Sequence, residues 1–201
     1  MKLTSRDRER FIRRLKCVAG AAVNFRIDQI RLPNGRKAER EYLSHPGAVG
    51  ILAFPSPREI LLIKQYRYPV HEFTYEIPAG KLAKGEDPGA CVRRELEEEA
   101  GYRARRVEKL IRFWPTAAFS DEVLHLYYAD SLVKTRVNPD EDEFLEVVTV
   151  SPERMERLIG SGQIRDSKTL IAFLAWKHLS KPTATHKANK GATWKSSRGS
   201  R

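Results

Sequence analysis

One short, charge-dense stretch, GKLAKGEDPGACVRRELEEEAGY at residues 80–102, constrains the fold more than any other feature of the sequence. Asp87 followed by Pro88 is a typical helix start and Gly101 is a typical helix end, so the stretch predicts a helix over residues 88–100. Glutamates crowd the second half of this helix, although like charges on neighbouring turns repel. A positively charged group must therefore lie among these carboxylates if the helix is to be stable.

Helical periodicity sorts the side chains of this segment into two faces. Glu95, Glu98 and Glu99 share one face, because positions i, i+3 and i+4 are neighbours, whereas Glu97 points away from them. The adjacent stripe is apolar and consists of Val92, Leu96 and Ala100. It predicts that the helix packs against a sheet.

The carboxylate face has two interpretations that the residues alone leave open. It is either a solvated acidic face with i, i+4 partners or a metal site, since hard divalent cations such as Mg²⁺ bind carboxylate oxygens. Ions bound there would neutralise phosphates of a substrate and lower the pKa of bound water.

Composition limits the class of protein. The chain has 201 residues, 41% of them apolar and 31% charged, which predicts a globular domain with appendages. No apolar run predicts a membrane span or a signal peptide, and Cys17 and Cys91 are too few for a disulfide framework. We expect a cytoplasmic protein with reduced thiols.

The net charge of +11 belongs mainly to the two ends of the chain. Residues 1–16 contain seven Lys or Arg and two acids, and residues 181–201 contain six Lys or Arg and no acid. We predict a basic N-terminal extension at residues 1–21 and a disordered basic tail at residues 181–201. The nearly neutral remainder gives no support for a nucleic-acid partner.

Local patterns predict a mixed sheet with few helices, an α+β fold. Alternating residues around Pro33-Asn34-Gly35 predict a hairpin at residues 22–45. Further strands are expected at residues 47–54, 59–68, 73–77, 107–114, 123–133 and 144–150. Helices are expected in the charge-dense stretch at residues 88–100, after Ser151, and in the run SKTLIAFLAWKHL with Leu170, Ile171 and Leu174 on one face.

The charge-dense stretch resembles the Nudix box. Gly80, Glu86 and the run from Arg94 to Tyr102 match its fixed positions at the correct spacing, with Tyr102 where an aliphatic residue is more usual. The resemblance implies the Nudix fold, an α/β/α sandwich, over residues 46–180 after the N-terminal hairpin.

The resemblance also implies roles for the charged residues of the box. Glu95 and Glu99 would be metal ligands, and Glu98 would be a further ligand with a part in catalysis. Arg94 would orient the carboxylates during catalysis through a bidentate contact. Glu86 would do the same or bind an outer metal.

Flanking segments are similar to the ADP-ribose pyrophosphatase branch of the family. The runs LIKQYRYPV and YEIPAGKL imply substrate-binding roles for Arg67 and Glu76 and a metal-binding backbone carbonyl at Ala79. In the branch, the N-terminal hairpin usually exchanges with a second subunit, which implies a homodimer. The run FSDE implies that Glu122 binds substrate, the alternative being a loop-end charge that caps the next strand.

One departure leaves strict preference for ADP-ribose open. The branch often has an SPG turn ahead of FSDE, whereas this chain has Ala117 and Ala118.

An acidic loop, NPDEDEFLEV, is the predicted source of the catalytic base. By the resemblance, Glu141 and Glu143 align best with the glutamate that activates water or reaches a metal. We expect Glu141 to be the base and Glu143 a ligand, with a merely solvated loop as the alternative.

These features predict a Mg²⁺-dependent hydrolase, with Mn²⁺ as a substitute ion, that cleaves the diphosphate bond of a nucleoside diphosphate derivative. ADP-ribose, giving AMP and ribose 5-phosphate, is the leading substrate. The alternatives are another nucleotide sugar or dinucleotide such as GDP-mannose, NADH or FAD, a ligand sensor without activity, and an RNA-end hydrolase.

Overall fold

The structure, a computed structural model, describes residues 7–138 and 144–179. The predicted tail at 181–201 and the two loop glutamates, Glu141 and Glu143, lie outside the described residues. The assignments made for them stay predictions.

The described part of the chain forms ten strands and three helices. They are β1 (Arg10–Ala19), β2 (Asn24–Arg31), β3 (Lys37–Ser44), β4 (Ala48–Ala53), β5 (Ile60–Arg67), β6 (Glu72–Glu76), β7 (Ala79–Lys81), α1 (Pro88–Ala100), β8 (Tyr102–Phe113), β9 (Leu124–Lys134), β10 (Glu146–Val150), α2 (Pro152–Gly160) and α3 (Ser167–Leu179).

Two small sheets between helices form the main body. One sheet has the strand order β7-β4-β9-β8, with β4 and β9 parallel, and the other has the order β10-β5-β6. Successive residues of a strand point to opposite faces, so β4 directs Val49 and Ile51 toward α1 and Leu52 toward α2 and α3. The result is the predicted α/β/α sandwich.

Helix α1 has the predicted bounds and the predicted caps. The Asp87 carboxylate accepts hydrogen bonds from the backbone N–H groups of Gly89 and Ala90 at 2.8 and 3.1 Å, and Gly101 ends the helix in the left-handed region with φ +68°. Its predicted apolar stripe is buried against the sheet.

The N-terminal residues form a separate three-stranded sheet, β1-β2-β3. The predicted turn is present between β2 and β3, where Gly35 has φ +85° and its N–H donates to the Leu32 carbonyl at 2.9 Å. Residues 10–19, predicted only as part of a basic N-terminal extension, form strand β1, antiparallel to β2.

The charges of this N-terminal segment favour a strand over a helix. On a helix, Arg10, Arg13 and Arg14 would lie three and four positions apart and repel one another. In the strand, Arg14 instead donates two hydrogen bonds to the buried Asp28 carboxylate, at 2.8 and 3.1 Å.

Helix α3 is present as predicted, but the side chain of Leu174 is 56% exposed. The buried face is centred on Ala172 and Phe173 instead, because the Phe173 ring packs against Trp176 beside Phe54. None of the helices in the described ranges has the length and apolar character needed to cross a bilayer.

Candidate active site

A cavity of about 610 Å³ opens where the N-terminal sheet, β5, β7, α1 and α3 meet. This volume lies within the ~300–1,000 Å³ typical of small-molecule sites. Most of the predicted site residues in the described part of the chain line it. They are Arg67, Ala79, Arg94, Glu95, Glu98, Glu99 and Glu122.

The carboxylates of α1 enter the cavity beside β7. A Cβ atom at Gly80 would lie 1.9 Å from the carboxyl carbon of Glu95, so only glycine leaves room for this carboxylate. Glu99 is 4% exposed, and its Oε2 accepts a hydrogen bond from the Ala79 N–H at 2.9 Å. These contacts join the glycine of the box to its helix.

Arg94 is the positive neighbour that the crowded carboxylates require. Its Nη1 lies 2.8 Å from Glu98 Oε2 and 2.9 Å from Glu95 Oε1. Its other nitrogens donate to both oxygens of Glu86 at 3.1 and 3.3 Å. The Arg94 hydrogen bonds, helped by the Ala83 N–H, lower the pKa of Glu86 to about 2.

The donors in this wall suit a hard divalent cation. Three carboxylates, from Glu95, Glu98 and Glu99, and the backbone of Ala79 line the same cavity. Oxygen donors of this kind are the ligands of Mg²⁺ and Mn²⁺. In the present arrangement Arg94 neutralises the cluster, and the described residues contain no group of three or more His, Cys, Asp or Glu side chains set to hold a metal ion.

A second part of the wall is basic and is built on the buried carboxylate of Glu76. Arg67 donates from Nε and Nη2 to Glu76 at 2.8 and 2.7 Å, Thr74 Oγ1 donates at 2.5 Å, and Lys168 Nζ donates to Glu76 Oε2. Burial raises the pKa of Glu76, but the hydrogen bond from Arg67 and the charge of Lys168 outweigh it and leave the pKa at about 2. Glu76 therefore lies behind Arg67 and Lys168 rather than among the residues that line the cavity.

Lys168 is a cavity residue that the sequence pattern did not single out. Its side chain is 13% exposed and also donates to Asp166 at 3.0 Å. The Asp166 carboxylate in turn accepts from the Thr169 N–H at 2.9 Å and so caps the start of α3. An aspartate three residues before Thr169 is a capping signal in the sequence, but it does not indicate that the helix end faces a cavity.

Glu122 reaches the cavity because its loop pairs with the end of β3. Leu43 N–H donates to the Phe119 carbonyl at 2.9 Å, and the Asp121 carboxylate accepts from the His45 N–H at 2.7 Å. Glu122 Oε1 lies 3.8 Å from His45 Nδ1, and both side chains line the cavity. His45 was not singled out by its sequence pattern.

A model of the NUDIX domain matches residues 44–173, more than half of the chain. The chain belongs to the Nudix family and is a Nudix hydrolase. The prediction of the family and of its fold is confirmed.

Two proteins from Bacillus species are similar to this chain over most of their length. The chain is 41% identical to the methanol dehydrogenase activator of Bacillus methanolicus over 166 residues, which are 82% of this chain and 90% of the relative. It is 39% identical to the ADP-ribose pyrophosphatase of Bacillus subtilis over 167 residues, with the same coverage.

A more distant relative and a solved structure extend the comparison. The GDP-mannose pyrophosphatase of Yersinia enterocolitica is 31% identical over 142 residues, which are 66% of this chain and 74% of that protein. A crystal structure of an ADP compounds hydrolase superposes with a TM-score of 0.72 at 18% identity, covering 83% of this chain and 92% of that one. This last likeness concerns the fold alone.

Proposed function

We propose that this hydrolase cleaves the diphosphate bond of ADP-ribose to give AMP and ribose 5-phosphate, with Mg²⁺, or Mn²⁺ in its place, as cofactor. The observation that carries the proposal is a single cavity in which the acidic face of α1 and the cations Arg67 and Lys168 both take part. A diphosphate joined to a sugar needs both, because its oxygens bind cations and a divalent ion. The similarity to the Bacillus subtilis ADP-ribose pyrophosphatase supports this substrate.

The acidic wall would hold the cofactor through Glu95, Glu98, Glu99 and the carbonyl of Ala79. When bound, a divalent ion supplies charge neutralisation of the diphosphate and a lowered pKa of coordinated water. Arg94 keeps the carboxylates oriented through the contacts it makes with Glu95 and Glu98.

The basic wall would bind the anionic oxygens of the substrate. Arg67 uses Nε and Nη2 for Glu76, which leaves Nη1 outside those bonds. The Lys168 ammonium has three N–H groups, of which Glu76 and Asp166 accept two. We infer that Glu76 is a positioning residue that holds both cations toward the cavity.

The remaining roles concern the attacking water and the far end of the substrate. Glu141 would take the proton of the water as its oxygen attacks phosphorus and the bridging P–O bond breaks, and Glu143 would be a ligand. Glu122, beside His45, would accept a hydrogen bond from a substrate hydroxyl.

The N-terminal sheet is the proposed dimer interface. Strand β1 is exposed over nearly all its length and presents Phe11 at 61% exposure with Leu15 and Val18. Apolar side chains on a sheet without a core of its own favour pairing with a second copy. Light scattering of the purified protein tests this, and a monomer at micromolar concentration would contradict it.

A cytoplasmic location is proposed because both cysteines, Cys17 and Cys91, are free thiols. A nucleotide substrate is available in the same compartment.

A second substrate class is favoured by one departure from the branch. Ala117 and Ala118 replace the usual turn ahead of Glu122, and the Yersinia relative is a GDP-mannose pyrophosphatase. A GDP-sugar is therefore the alternative to ADP-ribose.

The test is a screen of the purified protein with Mg²⁺ against ADP-ribose, GDP-mannose, NADH, FAD and nucleoside triphosphates. Hydrolysis is detected as the release of products from which a phosphatase can remove phosphate. We expect ADP-ribose to give the highest kcat/KM. Glu99→Gln should lower kcat by about 10² or more, because it removes a metal-binding charge. Glu97→Gln is the matched control on the same helix, since Glu97 pairs with Arg103 at the surface. Indifference to every compound would refute the proposal.

A further inference from the structure

The last turn of α1 is electrostatically unfavourable. It carries Glu97, Glu98 and Glu99 and no basic residue. The C-terminal end of a helix has a partial negative charge, and its last carbonyl groups have no donor within the helix. Two of these acids line the cavity, so their placement needs support from outside the helix.

Residues 135–138, directly after β9, supply such support. Asn138 N–H donates to the Glu98 carbonyl at 2.9 Å, and Thr135 N–H donates to the Gly101 carbonyl at 2.7 Å. The Glu98 carbonyl is one of those left without a helical donor, because α1 ends at Ala100. A backbone N–H distant in sequence therefore completes the helix end.

The strand register brings the two segments together. Tyr102 at the start of β8 pairs with Lys134 at the end of β9, so the residues that follow β9 pass beside Gly101. A Cβ atom at Gly101 would lie 2.9 Å from Val137 Cγ2 and 3.1 Å from Val137 N. Glycine is needed here for this close approach as well as for its φ of +68°.

We propose that residues 135–138 are a clamp that positions Glu98 and Glu99 by fixing the last turn of α1, and that Gly101 is the glycine that lets the clamp close. The clamp residues act through α1 and are positioning residues. The inference rests on the proposed function in one respect, namely that Glu98 and Glu99 hold the divalent ion.

The test compares alanine at two left-handed glycines. Gly162 follows α2 with φ +72°, and a Cβ atom there would meet nothing within 4 Å. Gly162→Ala therefore adds the same backbone strain as Gly101→Ala without touching the clamp. We expect Gly101→Ala to lower kcat and the calorimetric affinity for Mn²⁺, measured without substrate, by about tenfold or more, because small misplacements of catalytic groups are costly. Gly162→Ala should keep both within about twofold.

Two further measurements keep the outcome decisive if Gly101→Ala folds poorly. Val137→Ala in the Gly101→Ala background removes the clashing Cγ2 and should restore Mn²⁺ affinity by about threefold or more, while the φ strain remains. In the wild-type protein the Asn138 amide should exchange with solvent at least ~100-fold more slowly than a free amide.

Equal loss of Mn²⁺ affinity in the two glycine variants, no restoration by Val137→Ala, or free exchange at Asn138 would each overturn the clamp. If the wild type hydrolyses no nucleotide in the screen but the Mn²⁺ results hold, the proposed substrate fails and the clamp stands.

Discussion

Replacing Glu76 by Gln removes the buried charge that holds both cations of the cavity wall. Glu76 is 2% exposed and accepts hydrogen bonds from Arg67, Thr74 and Lys168. A pKa of about 2, against an ordinary value of 4.5, corresponds to roughly 3 kcal/mol of stability in the ionised form. Breaking a buried ion pair costs about the same, ~3–5 kcal/mol.

The sign of the pH dependence follows from the lowered pKa. A carboxylate with a depressed folded-state pKa contributes its full stability above the unfolded-state value of 4.5 and loses it as the pH falls toward 2. The difference in unfolding free energy between the wild type and Glu76→Gln should therefore be roughly 3 kcal/mol from pH 7 to pH 5 and roughly 1.5 kcal/mol at pH 3.

Urea denaturation followed by tryptophan fluorescence at pH 7, 5, 4 and 3 measures this difference. Glu156→Gln is the matched control, because Glu156 forms an exposed pair with Lys177 and should change stability by less than about 1 kcal/mol. In the activity assay the KM of Glu76→Gln should rise, since Arg67 and Lys168 lose their anchor. A difference below about 1 kcal/mol at pH 7, or one that does not shrink at pH 3, would refute the assigned role of the charge.

Four other substitutions test separate parts of the site and core. Gly80→Ala must displace the Glu95 carboxylate, whose carbon would lie 1.9 Å from the new Cβ. Calorimetry should therefore show Mn²⁺ binding weakened by about tenfold or more, and unchanged binding would contradict this placement of Glu95. Tyr127→Phe removes a buried hydroxyl that has no hydrogen-bond partner among the described residues. Urea denaturation should show an equal free energy of unfolding or one higher by up to about 1 kcal/mol. A free energy of unfolding lowered by more than about 1 kcal/mol would reveal a partner. Glu141→Gln should flatten the acid limb of the pH–rate profile, whereas Glu143→Gln should raise the Mg²⁺ concentration for half-maximal rate. The reverse pattern would exchange their roles.

The acidic half of the site was predictable because its determinants are local. Asp87 and Gly101 fix the ends of α1 through contacts within five residues, and helical periodicity then decides which glutamates share a face. The sequence pattern therefore gave both the bounds of α1 and its cavity-facing carboxylates.

The basic half of the site depends on tertiary contacts that no local pattern encodes. Lys168 meets Glu76 only because α3 packs with its first turn against the end of β6, and His45 reaches Glu122 only through the pairing of β3 with a distant loop. Strand β1 was not predicted for the same reason, since its conformation follows from pairing with β2 rather than from its own periodicity.

The parallel pairing of β4 with β9 places the assembly of the cavity late in folding. Residues 48–53 pair with residues 124–129, and β7, α1 and β8 all lie in the chain between them. Closing so long a loop has an entropic cost before any contact offsets it, and non-local strand pairs form slowly. A chain leaving the ribosome thus carries every carboxylate of α1 before β8 and β9 have completed the sheet against which they are arranged. Until β9 emerges, those acids belong to an amphipathic segment whose apolar stripe lacks part of its supporting sheet, so this stripe needs protection from aggregation.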